Sequence, residues 1–115
     1  MKHDPLNHRL LNEFPYLAKN YQKLHDGIFD LDTPSRNFYE EIFIPYILGV
    51  KERDDTDELN HCCIFIEELL NDQDENSNNL AIMGILCPLY EKIGDEMSHL
   101  PLEDKAMEYY KNWLK

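Results

Sequence analysis

The stretch from Leu80 to Ile93 constrains the fold of this chain more than any other. Leu80, Ala81, Ile82, Met83, Ile85, Leu86, Cys87, Leu89, Tyr90 and Ile93 would lie on nearly every side of a helix. Helices that face water keep a polar side, so a segment this apolar needs neighbours around it. It is too short to cross a bilayer, which takes about 20 apolar residues. The remaining solution is a helix in the middle of a bundle. Pro88 predicts a bend in it and Gly94 predicts its end.

The rest of the chain can supply the cover. Asp4 before Pro5 is a helix start: a side-chain acceptor at the cap, then a proline where no donor is needed. Leu6, Leu10, Phe14, Leu17, Tyr21 and Leu24 follow on one helical face, with Pro15 predicting a kink or a second helix and Gly27 a stop. Residues 28–32 alternate like a strand but are too few for a sheet, so they read as a loop that turns Ile28, Phe29 or Leu31 inward.

Thr33 and Pro34 repeat the helix start. Phe38, Ile42, Tyr46 and Gly49 then form one line, beside Tyr39, Phe43, Ile47 and Val50, with Pro45 predicting a kink. After a charged linker, Thr56 or Asp57 should cap a helix carrying the stripe Leu59, Cys62, Cys63, Ile66, Leu69 and Leu70. Residues 71–79 hold no apolar side chain and read as an exposed loop. Pro101 opens a last helix, with Leu102, Ala106, Tyr109, Tyr110, Trp113 and Leu114 on its inner side. Only 4 glycines are available for tight hairpin turns. The expectation is an all-α fold: one domain over residues 1–115, a compact bundle of about five or six helices around the helix at 80–93.

Lys and Arg number 11 against 23 Asp and Glu, for a formal charge of −12. Such a chain repels phosphate backbones and anionic lipid, and attracts basic proteins. Nucleic acid and membrane are therefore not expected as partners. The bland alternative is acidity that serves solubility alone. The 3 cysteines are too few and too badly spaced for a disulfide framework, and residues 1–5 lack the apolar run of a signal peptide. A cytoplasmic protein is expected.

Chemistry-bearing patterns are few. Glu-x-x-His occurs at Glu58–His61 and at Glu96–His99, the spacing that lets two ligands share one metal in carboxylate-bridged bundles, with Glu13 and Glu40 or Glu41 as nominal completing ligands. His61 flanks the apolar stripe, however, and the second motif is squeezed between Gly94 and Pro101. His61, Cys62 and Cys63 diverge by about 100° per residue on a helix, so they make no thiol–base pair, and the cysteines read as small core residues. There is no glycine-rich phosphate loop and no nucleophile elbow. No catalytic residue, metal or cofactor is expected.

Acidic residues gather on and around the helix that carries the stripe from Leu59 to Leu70. Asp54, Asp55, Asp57, Glu58, Glu67 and Glu68 form the candidate partner-binding face. With Asp72 to Glu75 they make two negative clusters about 20 Å apart at 1.5 Å per residue, a charge pattern that can imitate a nucleic acid. A solvated surface is the plain alternative.

Glu13-Phe14-Pro15, Phe65-Ile66-Glu67-Glu68-Leu69-Leu70 and Pro88-Leu89-Tyr90, in this order, resemble small acidic helical bacterial proteins of uncharacterised function, some of them similar to immunity proteins of toxin systems. The likeness runs from Glu13 onward and rests on packing motifs. It implies a non-catalytic helical protein that neutralises a basic partner, such as a toxin or nuclease domain, and it brings no catalytic residues. Two other readings stand beside it: a metal-binding bundle using Glu58, His61, Glu96 and His99, and a subunit that self-associates through an apolar patch at Phe38, Tyr39 and Phe43.

Overall fold

A computed structural model describes residues 5–17 and 35–115 of the chain. The expectations for residues 18–34, including the stop at Gly27, the loop at 28–32 and the cap at Thr33, lie outside the described residues.

Helix α1 is Pro5–Glu13. Phe14 leaves the helical run and residues 15–17 resume it, the ring of Pro15 disfavouring helical geometry at Phe14. Helix α2, Ser35–Glu52, continues without a break through Pro45. That proline is on the exposed side, where water can serve the carbonyl it leaves without a donor.

The α2 end is closed by two bonds: the Asp54 N–H donates to the Lys51 carbonyl (3.2 Å) and the Asp55 N–H to that of Val50 (3.3 Å). This is the six-to-one and five-to-two pairing of a Schellman stop, and it puts Asp54 at φ +54°, where glycine is usual and Asp is tolerated.

Asp55, one residue earlier than expected, is the cap of helix α3, Thr56–Asn71, and its carboxylate accepts from the Glu58 N–H at 3.3 Å. Cys62, Cys63, Phe65, Ile66 and Leu69 form its buried side. The polar stretch after it is not a loop. Asp74 caps a further helix, α4, Glu75–Asn79, by accepting from the Asn76 N–H at 3.0 Å. The side-chain amide of Asn78 donates to the carbonyls of Leu69 (2.8 Å), Leu70 (3.3 Å) and Asp72 (3.0 Å), so a polar residue closes the end of α3.

Helix α4 passes into a wider π-helical stretch, Leu80–Leu86, and then into α5, Cys87–Ile93. The Cys87 N–H reaches back five residues to Ile82, just before Pro88, which has no N–H to give. Ala81, Ile85, Leu86 and Leu89 are fully buried, while Met83 faces outward. A Cβ at Gly84 would meet the Leu80 side chain of its own run at 2.7 Å, while the Arg36 Cα at the start of α2 would lie at an ordinary contact distance of 3.6 Å. Gly94 ends α5 at φ +56°.

A 3-10 turn, Gly94–His99, leads to helix α6, Asp104–Tyr109, and a final π turn, Tyr110–Leu114. Here α6 starts three residues after Pro101, and its first amides are capped from another helix, the Glu67 carboxylate accepting from Lys105 (3.1 Å) and Ala106 (3.0 Å). Ala106 and Tyr110 face the core, but Trp113 is 75% exposed, contrary to its expected inner position.

No strand occurs among the described residues, and the fold is an all-α bundle with the helix through Leu80–Leu86 packed against α2 and α3. The radius of gyration, 13.7 Å, is that of a compact domain of this length. At its heart Phe14, Tyr39, Phe43 and Phe65 meet with ring centres 5.3 to 6.4 Å apart. Phe38, Tyr39 and Phe43 are therefore core residues, at most 1% exposed, and offer no surface patch for self-association.

Candidate binding face and the His61 cluster

Helix α3 is buried on one side only. On the other, Asp57, His61, Ile64 and Glu68 follow at spacings of four, three and four, which places them in one row along the outside. Asp57 and Glu68 are exposed, and between them Ile64 is 44% exposed.

The six carboxylates expected to form a partner face fall into two groups. Asp55 is occupied as the cap of α3, Glu58 in the cluster described next, and Glu67 as the cap of α6, where it also accepts from Asn71 at 3.1 Å. Asp54, Asp57 and Glu68 are exposed, with Asp54 at the turn before the helix. Helix capping thus claims two of the six, Asp55 and Glu67, and a side-chain cluster claims Glu58.

His61 joins three elements. Its Nε2 is 2.7 Å from Glu13 Oε2 on α1 and its Nδ1 is 3.0 Å from Glu58 Oε1 on its own helix. The Tyr46 hydroxyl, from α2, donates to the second Glu58 oxygen. The Phe14 ring lies over the imidazole with centres 4.4 Å apart. The hydrogen bond to Glu13 pushes the His61 pKa up; partial burial opposes this, and Glu58 adds to the rise. Burial first, and then Glu58, pushes the Tyr46 hydroxyl up, so it stays a proton donor.

This arrangement favours an imidazolium that gives one N–H to each carboxylate. A general base or metal ligand needs a ring nitrogen aimed at substrate or ion. Here Glu13 and Glu58 occupy opposite edges of the ring and cannot converge with one nitrogen on a shared ion. Among the described residues no group of three or more His, Cys, Asp and Glu side chains is placed to hold a metal. Glu96 and His99 sit exposed on the 3-10 turn, with Lys51 Nζ 3.6 Å from Glu96, and Glu40 and Glu41 are exposed on α2. The ligand set drawn from the two Glu-x-x-His motifs is not assembled.

Glu13 and Glu58 were legible as companions of His61, the latter by its spacing of three. Tyr46 and Phe14 were not, because nothing in linear spacing ties residues 14, 46 and 61 together. Ile64 carries a signal in the sequence: it is the isoleucine on α3 that lies off the apolar stripe.

Residues 7–114 match a family described as a domain of unknown function, DUF7674. No curated protein and no solved structure matches the chain. None of the described helices is long and apolar enough to cross a membrane. The family match takes in α1 from Asn7 onward, the His61 cluster and the whole of α3, and the chain belongs to the DUF7674 family.

Proposed function

We propose that this is a non-catalytic cytoplasmic protein that holds a basic protein partner on the outer face of α3, in the manner of an immunity protein that neutralises a toxin or nuclease domain. The observation that carries the reading is Ile64, an aliphatic side chain 44% exposed in a row with exposed Asp57 and Glu68. Charge on an interface rim sets approach and specificity, while a desolvated apolar anchor near the centre supplies much of the affinity. This face holds both in register on one rigid helix. The net charge of −12 supplies the long-range attraction for a basic surface.

The test is affinity capture from lysate of the protein's own source, with wild type, Ile64→Ser and the Asp57→Lys/Glu68→Lys double variant as baits. All three substitutions lie on the solvent side, so folding is retained. A basic protein held by wild type, released by salt and lost from both variants supports the reading. The same protein held equally by all three baits places its binding elsewhere.

A further inference from the structure

We infer that His61 is a pH-operated latch that fastens the end of α1 to α3. The geometry is a bridge with two unequal ends. Glu58, at 3.0 Å, is on the same helix three residues away and is itself held by the Tyr46 hydroxyl. Glu13, at 2.7 Å, is the last residue of α1 and comes from a different part of the chain. The groups against the imidazole among the described residues are Glu13 and the Phe14 ring from the α1 side and Glu58 within α3, with Tyr46 of α2 behind Glu58 and Phe14. Arg53 and the buried Cys62 thiol lie within electrostatic reach of Tyr46.

An imidazolium has two N–H donors and satisfies both carboxylates. A neutral imidazole has one. On losing its proton the ring presents a lone pair to one carboxylate and no longer offsets the repulsion between the two. The Glu58 end stays anchored, so the Glu13 end lets go.

The sign follows from the direction in which His61 is perturbed. Its pKa is raised above 6.5 in the folded protein. The latch is therefore fully set below 6.5 and fades as pH rises through the folded value. Leu6 and Leu10 remain buried contacts of α1, so the response is a local opening near Phe14 and leaves the bundle standing. Phe14 itself packs on Phe43 and Phe65, so the opening exposes an aromatic edge of the core.

The experiment uses the full chain. The His61 ring is titrated by NMR, and amide exchange is followed at Phe14 and Leu17, whose N–H groups bond to the Leu10 and Phe14 carbonyls at 2.9 Å each. Rates are corrected for intrinsic pH dependence. Across the titration, the opening constant at these amides should rise about tenfold for each unit by which the His61 midpoint of the wild type exceeds that of Glu13→Gln, because the Glu58 contact persists in the open state. His61→Gln should abolish this pH response, and Glu13→Gln should flatten it while lowering the midpoint. Amides in α5 should show none of it. A raised midpoint with no pH response at Phe14 and Leu17 would overturn the latch, as would a response that persists unchanged in either variant.

Discussion

Cys62 and Cys63 show how a residue's surroundings decide its chemistry. Both are at most 1% exposed. Burial pushes the Cys63 thiol up to about 12 and Cys62 higher still, with Glu58 adding to the rise at Cys62. Neither forms a thiolate at neutral pH, and the thiolate is the reactive species. Cys87 is half-buried. Labelling the native protein with a thiol reagent at pH 8 should modify Cys87 first and leave Cys62 and Cys63 unreacted until the protein is denatured. Gly94 makes a different case. A Cβ there would touch nothing within 4 Å, yet φ is +56°. Gly94→Ala should therefore cost about 1–3 kcal/mol from backbone strain alone, read as a lowered denaturation midpoint with an unchanged slope.

At the scale of elements, helix ends carry much of the organisation, and they were the part least legible in the sequence. Apolar spacing located α2, α3 and the helix at 80–93, because a three-and-four rhythm of leucine, isoleucine and phenylalanine reports directly on a buried face. It says nothing of residues 71–79, which lack apolar side chains. That segment is ordered by Asp74 and by the three carbonyls that Asn78 gathers, a tertiary arrangement with no periodicity. The start of α6 was misplaced for a related reason. Its cap, Glu67, lies 38 and 39 residues away from the amides it serves. Glu67→Ala should destabilise the protein by about 1 kcal/mol, the ordinary worth of a cap, with the loss of amide protection concentrated at Lys105 and Ala106. The face of α3 was half legible: charge marked the helix, but only the fold separates carboxylates that cap helices from those that face outward.

For the whole molecule, the apolar helix at 80–93 remains the organising element. Leu89 is fully buried within it, and Leu89→Ala should cost about 2–5 kcal/mol by leaving a cavity the neighbours cannot close, measured by urea denaturation. Around that core the protein spreads its excess of negative charge, and on α3 the charge meets an exposed isoleucine. The central claim is that this meeting is a binding face for a basic protein. It is tested most directly by the rate at which the captured partner associates with the wild-type chain as ionic strength is raised. Steering by the acidic face predicts an association rate that falls by about tenfold or more between low and physiological salt, while dissociation changes little. Ile64→Ser should instead speed dissociation and leave that salt slope intact. An association rate indifferent to salt would contradict the account.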